Sequence, residues 1–263
     1  VSEVAEASVK VFSGFMQDKY FILFMGLGYW AVIAIYIGIV KLREKNPLST
    51  LGFPKLSPKS SAVKAYLRGM GFGLILISSV YGLLLLFGQV KCNGFALQKD
   101  SIVLFILYIL MWIPQGATEE IMMRGYMMPR VAARFGLPFA IFFSSMCFSL
   151  MHAFNAGFSF LALFNLAFIA AFFAVFAYRS GHIYTVCAMH TVWNFCQGNL
   201  FGLEVSGNSG SASILSSSYT EKAGKLLSGG DFGPEGGLCV TIVIAVAFVV
   251  LILATKRRNT AKV

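Results

Sequence analysis

Three uncharged apolar runs, residues 20–40, 69–90 and 236–255, constrain this chain most. A helix needs about 20 residues to cross a bilayer. Backbone polar groups in hydrocarbon must find partners within their own segment, so runs of this length fold as membrane helices. Residues 101–118 form a shorter candidate ending at Glu119 and Glu120, and residues 180–203 are apolar apart from His182 and His190. Residues 135–178 carry no Asp, Glu, Lys or Arg, too long a stretch for one span, and Asn155-Ala156-Gly157 is a turn signal that divides it. The expectation is an all-α, polytopic membrane helix bundle of about seven transmembrane helices, forming a single integral membrane domain over residues 1–263. Val4, Val11, Phe12 and Phe15 fall at helical spacing and suggest a short surface helix within residues 1–19. The Gly- and Ser-rich residues 204–235 read as an external loop. No cleavable signal peptide is expected, because the first apolar run is long enough to span and lacks a small-residue cleavage site.

Charge supports the same picture. Only 12% of residues are charged, against about a quarter in an ordinary soluble domain. The net charge of +10 lies in the connections between apolar runs, with no separate basic domain, so lipid headgroups rather than nucleic acid are its expected counter-charge. Lys41, Arg43, Lys45, Lys55, Lys59, Lys64 and Arg68 crowd the first connection, Arg124, Arg130 and Arg134 the third, Arg179 the fifth and Lys256, Arg257, Arg258 and Lys262 the tail. By the positive-inside rule this alternation places the N-terminus outside and the C-terminus in the cytoplasm, and a bacterial cytoplasmic membrane is the expected location. Cys92, Cys147, Cys187, Cys196 and Cys239 show no CxxC pairing and are expected to be small buried hydrophobes.

Ionisable side chains in apolar helices are costly, so each is a candidate for function. In Glu119-Glu120-Ile121-Met122-Met123-Arg124, Glu120 and Arg124 stand one helical turn apart, acid before base. That pairing would neutralise Glu120 and leave Glu119 free; an interfacial ion pair at a helix end explains the same residues as well. Phe148-x-x-x-His152 and His190-x-x-x-Asn194 each fit a helix with the outer residues on one face, so that Phe148 shelves His152 and His190 shares a face with Asn194. A lone histidine in a membrane helix is more often packing glue, and His182, beside Gly181 at a loop edge, takes that reading. The convergence of two glutamates, two histidines and an amide on three nearly uncharged segments favours a reactive site. A carboxylate whose pKa is raised by burial can deprotonate trapped water, as peptide hydrolysis requires. An Asn amide and a histidine can then donate to the oxyanion.

In this order, Glu-Glu-x-x-x-Arg, Phe-x-x-x-His and His-x-x-x-Asn, the motifs resemble the signature of the CAAX prenyl endopeptidase and bacteriocin-processing (CPBP, or Abi) family of membrane proteases. The resemblance covers about residues 113–201, the expected catalytic core. It implies that Glu119 is the water-activating base, His152 its partner, and His190 with Asn194 the oxyanion-binding pair, while Glu120 and Arg124 hold the first helix in place. The substrates it implies are prenylated CAAX tails, as in eukaryotic relatives, or peptide and membrane-protein precursors, as in bacterial ones; the oligomeric state is left open. The family has been described both as zinc-dependent and as metal-independent. Zinc takes three protein ligands plus water. His152, His190 and Glu119 would be the set, yet with Glu120 committed to Arg124 no general base would remain, so a metal-free site without cofactor is expected.

One difficulty and two rivals remain. With straight helices rising about 1.5 Å per residue, Glu119 falls near the cytoplasmic end of its span, His190 about 12 Å in from that side, and His152 near the outer face. A broken or re-entrant helix within residues 113–135, at Pro114 and Gly116 or through a displaced following helix, is therefore expected. It should bring Glu119 and His152 within hydrogen-bond or one-water reach. A proton-coupled transporter would use the same buried Glu and His as a relay, and a non-catalytic immunity or regulatory protein would keep the scaffold without turnover.

Overall fold

A computed structural model describes residues 14–57, 61–210 and 212–260, with the side chains of the last helix described as far as Ala254. The chain forms α1 (Lys19–Gly38) with a π-helical extension (Ile39–Arg43), α2 (Ala62–Leu86), β1 (Val90–Phe95), α3 (Ile102–Glu120), a π-helical segment (Ile121–Met127), α4 (Met128–Phe135) and α5 (Leu137–Leu150). It continues with α6 (Phe160–Ser180), α7 (Tyr184–Phe195) with its own π extension (Cys196–Leu200), β2 (Leu215–Tyr219), α8 (Lys225–Ser228) and α9 (Leu238–Thr260). The fold is an all-α helix bundle with one small sheet. Among the described residues four stretches are long and apolar enough to cross a membrane, namely Lys19–Arg43, Ala62–Leu86, Lys99–Phe135 and Phe160–Ser180. Leu137–Leu150 and Leu238–Ala254 are apolar but shorter, so four of the seven expected spans reach that length.

Capping residues set the helix starts. Asp18 Oδ1 accepts from the Tyr20 and Phe21 amides at 2.8 Å each, Ser61 caps α2, and Ser159 caps α6; each satisfies amides that the first turn leaves without partners. Of the expected surface helix, Val4, Val11 and Phe12 lie outside the described residues. Met16 is buried, and its carbonyl accepts the Tyr108 hydroxyl at 2.7 Å.

The bundle is organised around α7, whose residues Thr185 to Asn194 are all buried. Small residues let the neighbours approach: Gly69 and Gly73 of α2 lie against Thr185 and Met189, and Gly116 of α3 lies against Thr191. A Cβ at Gly73 would stand 2.7 Å from the Met189 carbonyl, and one at Gly116 2.8 Å from the Thr191 amide. Lipid supplies no hydrophobic drive between helices, so such close packing, joined by bonds like Thr185 Oγ1 to the Ala65 carbonyl at 3.1 Å, is what holds them.

The path after α3 differs from the sequence expectation. The helix does not break at Pro114; it passes through it, and the irregularity comes after the glutamates, in the π-helical Ile121–Met127. Nor does the span end at Thr118, since one helical stretch runs from Lys99 to Phe135. Charged residues had marked the boundary there, but Glu120 and Arg124 are buried inside the bundle. Thr118 Oγ1 donates to the Tyr29 carbonyl at 3.1 Å, which sets the glutamates level with the middle of α1. At Gly136 (φ 82°), a left-handed value suited to glycine, the chain turns into α5, which packs back on α4 and the π segment. About as many residues lead from Glu119 to Phe135 as lead back to His152. This hairpin returns His152 toward the glutamates.

Residues 204–235, expected as a plain loop, contain β2, which pairs antiparallel with β1 from Val90↔Tyr219 to Phe95↔Leu215 with a bulge between Cys92 and Gly94. Cys187, Cys196 and Cys239 are buried as expected; Cys147 is half-buried, and Cys92, in β1, is exposed.

Candidate active site

α3 and α7 supply the polar groups at helical spacing. Gln115 and Glu119 are one turn apart on α3, and His190 and Asn194 one turn apart on α7. Gly116 against Thr191 brings the two backbones close enough for these short side chains to meet. The π segment then carries Arg124 into the interior; π turns insert an extra residue and recur at functional sites.

The groups form a continuous network. Arg124 Nη1 donates to Glu120 Oε1 at 3.0 Å, and Arg124 Nη2 to the Ala170 carbonyl at 2.8 Å. His190 Nδ1 reaches the same Glu120 Oε1 at 2.9 Å, while His190 Nε2 faces Glu119 Oε2 at 3.3 Å. Gln115 Nε2 donates to Glu119 Oε1 at 2.7 Å, and Asn194 Nδ2 to Gln115 Oε1 at 2.9 Å. The Arg124 guanidinium also lies over the Phe148 ring, 5.2 Å from its centroid, and edges of the Phe148 and Phe173 rings meet the His190 imidazole. Two carboxylates, one guanidinium and one imidazole are electrically balanced when a single proton sits between Glu119 and His190. Balance matters because Glu120 and Arg124 side chains are 0% and 1% exposed, and buried charge without compensation costs several kcal/mol.

Glu119 Oε2 has no aligned hydrogen-bond donor despite its proximity to His190 Nε2. Its side chain, 12% exposed, is the carboxylate of the pair that opens on a cavity of about 260 Å³. Gln115, Glu119, Arg124, Phe148, His152, His190 and Asn194 line this cavity, with Met16, Ile22, Met25 and Met111 among its apolar wall. His152 is not on a helix, contrary to the i to i+4 reading, because α5 ends at Leu150 and residues 151–157 form turns. Phe148 nevertheless shelves it, with ring centroids 5.0 Å apart. His152 Nδ1 lies 2.9 Å from the Phe148 carbonyl, which can only accept; Nδ1 therefore carries the hydrogen and the neutral ring has its lone pair on Nε2.

The expected residues other than Glu120 thus line one cavity, with Glu120 buried behind it, in altered relations. Glu120 is more than a partner for Arg124, since it also orients His190. Glu119 is held by Gln115 and faced by His190 rather than left free. Gln115 went unnoticed in the sequence, although its spacing before Glu119 on an apolar helix was a usable signal. Glu235 was missed as well: its segment reads as a turn, yet the side chain is 4% exposed and lines the cavity. His182 lies outside the site, and burial of its ring holds its pKa down. For zinc, Glu119 Oε2 and His190 Nε2 face one another, but no third His, Cys, Asp or Glu among the described residues completes a ligand set. The donor set does not fit a catalytic zinc with three protein ligands.

Among known proteins, the Rce1-like family model, type II CAAX prenyl endopeptidase Rce1-like, matches residues 101–196. The match takes in Glu119, Glu120, Arg124, Phe148, His152, His190 and Asn194, and stops before the loop that carries Glu235. No curated protein and no solved structure matched the chain.

Proposed function

We propose that this protein, similar over residues 101–196 to the Rce1-like type II CAAX prenyl endopeptidase family, is an intramembrane endopeptidase that cleaves a membrane-associated or precursor peptide with carboxylate-activated water. The observation that carries this reading is Glu119: a nearly buried carboxylate in the cavity lining, with one oxygen held by Gln115 and the other 3.3 Å from His190 Nε2.

Water in the cavity gives a proton to the Glu119 carboxylate as its oxygen attacks the peptide carbonyl carbon. His152 Nε2, the bare nitrogen on the same cavity, accepts the water's second hydrogen and aims its lone pair. The carbonyl oxygen becomes an oxyanion, which takes hydrogen bonds from His190 Nε2–H and from the Asn194 amide hydrogen not given to Gln115. On collapse the C–N bond breaks, and the proton held by Glu119 passes to the leaving amine. Glu120 keeps the His190 ring in orientation through Nδ1, as a carboxylate does for a catalytic histidine, and Arg124 holds Glu120 in place at 3.0 Å. No step uses a metal.

The test compares membrane peptides, by mass spectrometry, from cells carrying wild type and Glu119→Gln, each with and without a chelator. A cleavage product that disappears in the variant and persists with chelator supports the reading. A solute flux abolished by the variant without any cleaved peptide would instead make the protein a carrier.

A further inference from the structure

Three chain segments that line the cavity, at Asn155, Ser206 and Glu235, interlock. Glu235, just before α9, accepts from the Ser206 amide at 2.7 Å and the Ser206 hydroxyl at 2.6 Å on Oε2, and from Trp193 Nε1 at 3.2 Å on Oε1. Its own carbonyl accepts from Asn165 Nδ2 at 2.9 Å, which ties it to α6. Ser206 has φ 47°, a left-handed conformation that residues with a Cβ adopt at a cost. The Ser206 carbonyl accepts from Asn155 Nδ2 at 2.8 Å, and the Asn155 amide donates to the His152 carbonyl at 3.0 Å. The next residue, Gly207, lies against the Ala156 backbone and donates its amide to the Phe232 carbonyl at 2.8 Å. His152 therefore stands on a turn whose fixed point is Ser206, and Ser206 is held in an unfavourable backbone conformation by Glu235.

We infer that Glu235 is a positioning residue for His152, acting through Ser206 and Asn155 to fix the turn that presents the imidazole to the cavity. Three hydrogen bonds to neutral donors use both carboxylate oxygens, and no Lys, Arg or His among the described residues forms an ion pair with it. A side chain so fully engaged serves geometry rather than proton transfer. The consequence for catalysis rests on the protease reading above; the consequence for the turn does not.

Two measurements on the full chain in lipid nanodiscs separate them. Amide hydrogen exchange across residues 151–159 in Glu235→Ala should quicken by about 5- to 30-fold, the effect of losing one or two hydrogen bonds from a local opening equilibrium, while residues 121–135 keep their protection. Turnover of the peptide found in the cell comparison should fall by a similar factor in kcat with KM little changed. Adding Ser206→Gly should restore both, because glycine takes the left-handed conformation without cost. Unchanged exchange at 151–159, or failure of Ser206→Gly to restore it, overturns the inference. Restored exchange without restored turnover overturns the link to His152. Should Glu235→Ala lose protection throughout, Glu235→Gln, which keeps one acceptor for Ser206, is read the same way. If wild type cleaves nothing, the protease reading fails and the exchange experiment still decides the positioning role.

Discussion

Where helices supply the cavity's polar groups, the contacts run mostly from side chain to side chain; where loops supply them, they run mostly between a side chain and the backbone. Gln115, Glu119, Glu120, Arg124, His190 and Asn194 make up the first set. Asn155, Asn165, Ser206 and Glu235 make up most of the second. Helices fix the first set in place before any substrate arrives, which suits the chemistry. Loops adjust more readily, and there precision depends on a few bonds such as those of Glu235.

The contrast can be broken where it is strongest. Arg124→Ala should leave Glu120 buried without its cation and lower stability by about 3–5 kcal/mol, read as a fall in thermal midpoint in detergent or nanodiscs. The double variant Glu120→Met with Arg124→Met should regain most of that loss, since an apolar pair often replaces a buried ion pair at little cost. It should stay inactive, because His190 Nδ1 then lacks its acceptor. An active double variant would reduce Glu120 to a structural role. Asn194→Ala should lower kcat by about 10²- to 10³-fold, the usual effect of removing one oxyanion donor. Among the loop groups, Asn155→Ala removes a single hydrogen bond and should lower kcat by about 5- to 10-fold. A larger loss than from Asn194→Ala would reverse the ranking of the two sets.

The smallest effect is expected outside the cavity lining. There Glu44 accepts from Arg130 and from the Tyr126 hydroxyl, the latter at 3.0 Å, and the Arg130 guanidinium stacks on the Tyr126 ring. The Arg130 bond holds the Glu44 carboxyl below its usual pKa. A depressed carboxyl favours the folded form above its ordinary pKa and loses that contribution as pH falls through the lowered value. Because the pair is solvent-screened, Arg130→Ala should barely move the thermal midpoint at neutral pH, with no change in turnover.

The same division explains what the sequence revealed. His190 with Asn194, and Glu120 with Arg124, are written at helical spacing on apolar segments, where any polar residue stands out. Gln115 obeys the same rule but carries no charge, and it escaped notice. The π segment has no comparable mark, because one extra residue in a turn leaves the apolar pattern almost unchanged; it falls within the expected residues 113–135, but Pro114, a known helix breaker, stays inside the helix. Glu119 and Arg124 were placed at a membrane edge because charge normally marks one, whereas balanced partners from distant segments allow it inside. Glu235 was the least legible. It sits 115 residues after Glu120 in a Gly-rich turn, and its partners Trp193, Ser206 and Asn165 come together only in the completed fold.

The central claim is that Glu119 activates water while its neighbours only hold and balance it. Single-turnover cleavage of the identified peptide by purified wild type and Glu119→Gln, with thermal midpoints measured alongside, tests it most directly. The account predicts a rate lower by about 10²- to 10⁴-fold in a variant as stable as wild type. A rate within about threefold of wild type would contradict it.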